Sequence, residues 1–145
     1  MTIGRSALIL PRAMETEVTW VGPSLVVCRP FGVAELKGYE EFLQTLAASP
    51  KYGPEVRVLM DITALDVSSL TAADLEELAN LRVRFASGRK ARSAMVVGPD
   101  SPLKYGLGRM FEGYLARHAE FEVMVFEGLD EAMAWLQADD ATPAP

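Results

Sequence analysis

The fold is decided by the stretch Glu55-Val56-Arg57-Val58-Leu59-Met60-Asp61-Ile62. It is a short apolar run that contains β-branched residues and ends next to a carboxylate. Such a run is typical of a central strand that is buried on both faces of an α/β sheet. The polar segment that follows, residues 63–69, then lies at the carboxyl end of this strand. We expect the rest of the chain to be arranged on the two sides of the strand.

Two strands and a helix are predicted before the central strand. Residues 18–21 and 25–29 are apolar runs separated by Gly22-Pro23-Ser24, a sequence that favours a tight turn. Residues 33–48 then carry apolar side chains at helical spacing along one face. The first half of the chain is therefore predicted to be an antiparallel hairpin and an amphipathic helix.

Two strands and three helices are predicted after the central strand. Thr71 with Asp74 three positions later predicts a helix N-cap, and Gly88 is expected to end that helix. Ser101 and Pro102 predict the start of the next helix. Strands are predicted over residues 93–98 and 122–126, and a last helix over residues 129–138.

The predicted order is ββαβαβαβα, which favours an α/β domain with right-handed crossovers. We expect a mixed, mostly parallel sheet of about five strands, with the opening strand antiparallel at an edge. The domain is predicted over residues 18–138. Residues 1–17 are expected to be a leader with a short edge strand at 7–10, and the acidic Pro/Ala tail over 139–145 to be disordered.

Composition limits the classes of function. A chain of 145 residues with half of them hydrophobic is the size of one domain. The net charge of −6 disfavours nucleic acid and anionic lipid as partners, and no run approaches the roughly 20 apolar residues of a membrane span. Cys28 is the single cysteine and is expected to be a buried free thiol. We expect a cytoplasmic protein.

No catalytic or metal-binding pattern is found in the sequence. His118 is the only histidine, and the nearby Glu112 and Glu120 do not have a metal-binding spacing. Gly-rich phosphate loops, Ser-His-Asp sets and CxxC pairs are all missing from the sequence. We therefore expect a protein that is not an enzyme and uses no cofactor or metal.

Several segments of the chain resemble a known family. They are the strand that ends at Asp61, the helix predicted over 71–85, the segment 108–112, and the last strand with the helix that carries Ala134-Trp135-Leu136. Over about residues 18–137 the chain resembles the SpoIIAA-like branch of the STAS/SEC14 superfamily, and the last strand and helix are its most specific part. The resemblance implies a STAS-type sheet with helices packed on it.

The resemblance implies two kinds of function. In anti-sigma-factor antagonists of the superfamily, the loop after the central strand has an Asp-Ser-Ser-Gly type segment with a phosphorylatable serine. The corresponding stretch here is Asp66-Val67-Ser68-Ser69-Leu70, with an additional valine and no glycine. The SEC14 branch instead implies a lipid or another apolar ligand between helices and sheet.

The loop after the central strand is the first candidate site. Asp66, Ser68, Ser69 and Thr71 precede a helix N-terminus at the edge where α/β sheets usually bind ligands, so the loop could accept a phosphate or hold an anion. In the alternative interpretation, Ser69 or Thr71 only caps the helix. Lys104 and Arg109 form a weaker anion-binding candidate and are expected to be solvated.

An apolar stripe on the helix predicted over residues 103–117 is the second candidate site. Most of the stripe is expected to be core, and the remainder to be a dimer face or an apolar pocket, because Gly106 and Gly108 could hold the helix loosely. We therefore expect a non-enzymatic regulatory module that binds a protein partner or a second copy, and the alternative is a carrier of a small apolar ligand or lipid. The residues of the stripe are Leu103, Leu107, Met110, Phe111 and Tyr114.

Overall fold

The computed structural model describes residues 13–85, 91–118 and 121–138. They form a six-stranded, mostly parallel sheet with four helices in the described part of the chain, which confirms the predicted α/β fold class. The strands are β1 (Glu15–Trp20), β2 (Leu25–Val33), β3 (Arg57–Asp61), β4 (Leu65–Asp66), β5 (Ala91–Val96) and β6 (Phe121–Phe126). The helices are α1 (Leu36–Ala48), α2 (Ala72–Arg84), α3 (Pro102–Leu115) and α4 (Leu129–Leu136).

The strand β3 lies at the centre of the sheet, as predicted. The strand order is β1-β2-β3-β5-β6, and only the β1–β2 pair is antiparallel. Val58 and Leu59 are both buried, and they belong to core clusters on opposite faces of the sheet. Burial on both faces explains why this strand is a nearly continuous apolar run.

The hairpin of β1 and β2 differs from the prediction in its length. β1 begins at Glu15, which pairs with Phe31, so the sheet includes residues 15–17 that were assigned to the leader. Gly22 has a φ of 92°, which explains why a glycine stands in the turn. The edge strand predicted at 7–10 and the tail at 139–145 lie outside the described residues.

The second strand ends later in the chain than predicted. β2 continues through Pro30 to Val33, where a helix was predicted to begin, and α1 begins at Leu36. Gly32 has a φ of 89°, and the last two residues of β2 pair with the short strand β4. The short strand β4 was not predicted, because a two-residue strand is too short to have a hydrophobic period.

Three helices cover one face of the sheet and α4 covers the other. Leu81 of α2 and the apolar residues of α1 pack on Val26 and Val58, and α3 packs near β6 through Phe111. On the second face, Ala132 and Leu136 of α4 pack against β2, β3 and β5. None of the described helices is long and apolar enough to cross a membrane.

Local signals of the sequence explain where the helices begin. The Thr71 hydroxyl accepts a hydrogen bond from Asp74 N–H, and the Asp74 carboxylate accepts one from Thr71 N–H. Ser101 accepts from Lys104 N–H, with Pro102 at the first position of α3. Both N-caps were predicted. Gly88, which was expected to end α2, lies outside the described residues, and the helix ends at Arg84.

Two arginines hold the carboxyl end of α4, a contact that the sequence did not indicate. The Arg57 guanidinium donates to the carbonyl oxygens of Leu136 and Ala138, and that of Arg92 donates to the carbonyls of Trp135 and Ala138. Arg92 also lies over the Trp135 ring at 5.0 Å. Cationic side chains here satisfy free carbonyl groups and complement the helix dipole.

Cys28 is a buried free thiol, as predicted. Burial raises its pKa to about 12, against the opposing effect of the Arg82 charge. A thiol with such a pKa is protonated at neutral pH and is a poor nucleophile. The side chain therefore acts as a small hydrophobic residue of the core.

The two glycines of α3 have different roles, which corrects the expectation that both loosen the helix. Gly108 is buried, and a Cβ built on it would lie 3.3 Å from the sulfur of Met95 and from both methyl carbons of Val125. A Cβ on Gly106 would meet nothing within 4 Å. Gly108 therefore lets the helix approach the sheet closely, and Gly106 lies on the exposed side.

This difference predicts opposite effects on the free energy of unfolding. We expect Gly106→Ala to stabilise the protein by up to about 1 kcal/mol through helix propensity. Gly108→Val should destabilise it by about 1–3 kcal/mol, because its methyl groups overfill the contact with β5 and β6. Urea denaturation measures both. Equal stabilities of the two variants would contradict the close approach at Gly108.

Candidate functional site

The carboxyl end of the sheet brings the polar candidates together. Asp61, the last residue of β3, accepts hydrogen bonds from the N–H and the hydroxyl of Thr63 at 3.1 and 2.7 Å. Its other oxygen lies 3.4 Å from Nε of Arg29. The turn after β3 is therefore fixed by its own side chains, and it leads directly into β4.

The loop after β4 is a second turn of the same kind. Oδ1 of Asp66 accepts hydrogen bonds from the Ser68 N–H at 3.0 Å and from the Ser68 hydroxyl at 2.6 Å. The Asp66 carbonyl accepts the N–H of Ala34, which ties the loop to the end of β2. Val67 is buried beneath the loop, whereas Ser68 and Ser69 are exposed. The loop is therefore held by the bond to Ala34 and by the buried Val67, and its two serines are exposed to solvent.

Lys104 of α3 is a second cation at this end of the sheet, after Arg29. Its ammonium group donates a hydrogen bond to the carbonyl of Thr63 at 2.8 Å. The pKa of Asp66 is lowered chiefly by its hydrogen bonds from Ser68 and further by the charge of Lys104. Lys104 thus joins the start of α3 to the turn after β3 and acts on Asp66 through its charge, which corrects the expectation that it is only solvated.

Thr71 acts as the cap of α2. The Asp74 carboxylate already accepts the N–H of Thr71 at the amino end of that helix. A further anion there would approach a fixed negative charge, which weakens the attraction of the helix terminus. The geometry therefore favours the capping interpretation for Thr71 and leaves Ser68 and Ser69 as the exposed hydroxyls of the loop.

The apolar stripe on α3 is divided between the core and the surface. Phe111 is 8% exposed and Leu107 is half-buried, and both face the sheet. Leu103 and Met110 are 53% and 40% exposed. Tyr114 packs beside the core cluster of Phe111. The sequence could not separate these roles, because all five positions fall within one broad helical face.

A small cavity lies under α3, at the carboxyl side of the sheet. It has a volume of about 70 Å³ and is bounded by β2, β3, β4 and β5, by α1, α2 and α3, and by the loop after β4. Leu107 and Phe111 are the residues of the predicted apolar face that line it, whereas Leu103, Met110 and Tyr114 do not. The cavity is nearly all apolar.

Arg82 is a buried cation that was not among the predicted site residues. It is 5% exposed, donates to the Ser93 hydroxyl at 3.2 Å, and lies over the Phe121 ring at 5.0 Å. Its Nη1 has no hydrogen-bond partner among the described residues. The only sequence signal for this residue was a polar side chain on a mostly apolar helix face. How deeply that side chain is buried depends on the packing of α2 against β5.

The described residues contain no group of three or more His, Cys, Asp or Glu side chains that could hold a metal ion. His118 follows the end of α3, where its N–H donates to the carbonyl of Leu115. The polar groups at the carboxyl end of the sheet are bonded to one another on an exposed surface. This arrangement suits recognition of another molecule more than it suits covalent chemistry.

Comparison with solved structures identifies the class of fold. A DUF3478-family protein from Shewanella loihica, described as having a SpoIIAA-like fold, matches with a TM-score of 0.58 and 21% identity, over 88% of this chain and 96% of that chain. An anti-sigma factor antagonist from Mycobacterium paratuberculosis matches with a TM-score of 0.55 and 16% identity, over 90% of this chain and 100% of that chain.

The chain therefore has the SpoIIAA-like fold, which confirms the resemblance seen in the sequence at the level of the fold. No family model matches the sequence, and no curated protein matches it. At these identities the likeness extends to the arrangement of strands and helices.

The bonds within the loop predict a change in the pKa of Asp66. We expect Ser68→Ala to raise this pKa towards that of an ordinary exposed aspartate, because it removes the hydroxyl whose hydrogen bond is the largest cause of the lowered pKa. A depressed pKa means that the turn holds the ionised carboxylate, so the turn is complete at neutral pH and weakens as the pH falls through that pKa. Carboxyl-carbon NMR titration measures it.

Ser69→Ala is the matched control for this titration. It removes the neighbouring hydroxyl, whereas the hydrogen bonds that lower the Asp66 pKa come from Ser68. The control should leave the Asp66 pKa where it is in the unaltered protein. An equal Asp66 pKa in all three proteins would show that the loop does not hold this turn in solution.

Proposed function

We propose that the protein is a non-enzymatic regulatory module that binds a protein partner in the cytoplasm. The observation that carries the proposal is an exposed polar loop within reach of the charge of Lys104, the residue that follows the exposed Leu103 in α3. We define the docking surface as Asp66, Ser68, Ser69, Leu103 and Lys104. Lys104 links the two parts through its bond to Thr63 and its effect on Asp66.

The chemistry of the docking surface suits a protein partner. Leu103 offers an apolar anchor, while Asp66 and Lys104 offer charges of opposite sign. Protein interfaces combine a few buried anchors with a polar rim, and the anchors supply most of the affinity. The anti-sigma factor antagonist of the same fold is, by its description, a protein that acts on another protein. That likeness supports the proposal.

Ser68 is the residue of this surface best placed to act as a switch. A phosphate carries about −1.5 to −2 charges at pH 7. On Ser68 it would replace the hydroxyl that now donates to Asp66 at 2.6 Å and would bring a second negative group next to the carboxylate. The turn would open, and Lys104 would be drawn to the phosphate. Phosphorylation would thus change both the shape and the charge of the surface.

The alternative of a lipid carrier receives less support. The cavity under α3 encloses about 70 Å³, whereas pockets for drug-sized ligands are usually about 300–1,000 Å³. A lipid chain would require α3 to move away from the sheet. Gly108 packs closely against Met95 and Val125, which opposes that movement. A second copy of the chain remains a candidate partner for the exposed residues Leu103 and Met110.

The proposal predicts that two substitutions on different elements weaken the binding of the same partner. We expect Leu103→Asp and Ser68→Glu each to weaken binding at least tenfold, because one removes the apolar anchor and the other opens the loop. Tagged protein captures the partner from cells of the source organism, and titration with the purified partner gives the dissociation constants. Native mass spectrometry of the protein alone shows whether the partner is a second copy.

The matched control is Val21→Asp, which places the same charge on a residue of similar exposure. Val21 is 44% exposed and lies in the hairpin turn, at the opposite end of β2 from the docking surface. It should leave the dissociation constant unchanged. If Val21→Asp weakens binding as much as Leu103→Asp, or if Leu103→Asp has no effect, the partner does not bind at the docking surface.

The switch makes a separate prediction about the protein isolated from its own cells. We expect an intact mass that exceeds the sequence mass by one phosphate, retained on denaturation and mapped to Ser68. Ser68→Ala should abolish the added mass, and Ser69→Ala should keep it. A phosphate on Ser69 instead would contradict the role of the Asp66 bond, and an unmodified protein under all growth conditions would contradict the switch.

A further inference from the structure

Arg82 carries a buried positive charge that lies outside the docking surface. The residue is 5% exposed and belongs to the last turn of α2. Its guanidinium reaches β5, where Nη2 donates a hydrogen bond to the Ser93 hydroxyl at 3.2 Å. Ser93 is also buried and pairs with Val58 of β3 on one side and Val123 of β6 on the other. The charge is therefore held against an otherwise apolar part of the sheet.

The charge of Arg82 has no anionic partner in the described part of the chain, where the ion pairs join other residues. Cys28 and Tyr39 interact with this charge, which lowers the pKa of each group. Burial outweighs that effect and raises both pKa values to about 12. The thiol and the phenol are therefore neutral at pH 7, and neither offsets the charge of the guanidinium.

One hydrogen-bond donor of Arg82 is also left over. Nη1 is buried and has no partner among residues 13–85, 91–118 and 121–138. The Phe121 ring attracts the cation through its face, but it does not carry a negative charge. A buried guanidinium without a counter-charge is costly, because water no longer solvates it. A water molecule could accept from Nη1 but would leave the charge uncompensated, whereas an anion would satisfy both the donor and the charge.

We propose that Arg82 and Ser93 form a buried binding site for a small monovalent anion, of which chloride is the representative. Nη1 of Arg82 donates to the ion. The Ser93 hydroxyl accepts from Nη2 and can donate its own hydrogen to the same ion. A single charge matches the one guanidinium, and the low exposure of both residues favours a small ion. The ion joins α2 to β5, and this role does not depend on the proposed function of the docking surface.

Chloride NMR tests the site in the full chain. We expect the protein to broaden the chloride signal and the excess line width to saturate as chloride is added. Arg82→Met replaces the cation by an apolar side chain and should reduce the excess line width at least threefold. The matched control is Arg84→Met, which removes the same charge two residues later, from a side chain that is 61% exposed. The control should keep most of the broadening.

A second measurement needs no variant. We expect the urea midpoint of unfolding to be higher in sodium chloride than in sodium gluconate at equal ionic strength, and the difference to level off. The reason is that an ion that binds only the folded state stabilises it. Equal broadening by folded Arg82→Met and by Arg84→Met overturns the site, because the chloride is then bound elsewhere. A line width and a midpoint that do not respond to chloride also overturn it, and they assign the remaining donor of Arg82 to water.

Discussion

The burial of β3 on both faces is the constraint on which the rest of the structure depends. Val58 faces α1 and α2, and Leu59 faces α4. A strand in this position cannot hold polar side chains except at its ends, so the polar groups of this region come at Asp61 and in the turns that follow it. The same constraint places these turns at the carboxyl edge, where α/β sheets usually bind their ligands.

The turns after β3 and β4 have the same hydrogen-bond pattern. Asp61 accepts the N–H and hydroxyl of Thr63, and Asp66 accepts those of Ser68. Each aspartate thus accepts hydrogen bonds from a backbone N–H and a hydroxyl, which would otherwise bond to water. Between the two turns, Leu65 is buried and pairs with β2. Two short polar turns are thereby fixed to a rigid sheet, and their exposed hydroxyls have defined positions.

The sequence predicted the elements whose signals are local. The caps at Thr71 and Ser101, the buried run of β3 and the turn at Gly22 all depend on residues within a few positions of one another. The sequence did not predict contacts made by distant residues, such as those of Arg57 and Arg92 with the end of α4. Gly108 is instructive, because its cost in helix propensity was visible in the sequence, whereas its benefit depends on Met95 and Val125.

The candidate site was predictable in position but not in its division of roles. Thr71, Ser68 and Ser69 are close in sequence, yet one hydroxyl caps α2 and another holds Asp66. The predicted apolar face of α3 divides in the same way, since Phe111 is buried and Leu103 is exposed. The division follows from the tilt and depth of a helix on the sheet, which periodicity alone does not determine.

The arrangement of polar groups supports the proposal that this protein binds a partner. A general acid or base needs a pKa matched to its task and a substrate held within hydrogen-bond reach. Here the pKa of Asp66 is shifted down, away from neutrality, by Ser68 and Lys104. The carboxylate is thereby kept charged and occupied on an open surface, which makes it a poor proton acceptor. An exposed carboxylate near the charge of Lys104 is instead a group that a partner can recognise by charge and shape together.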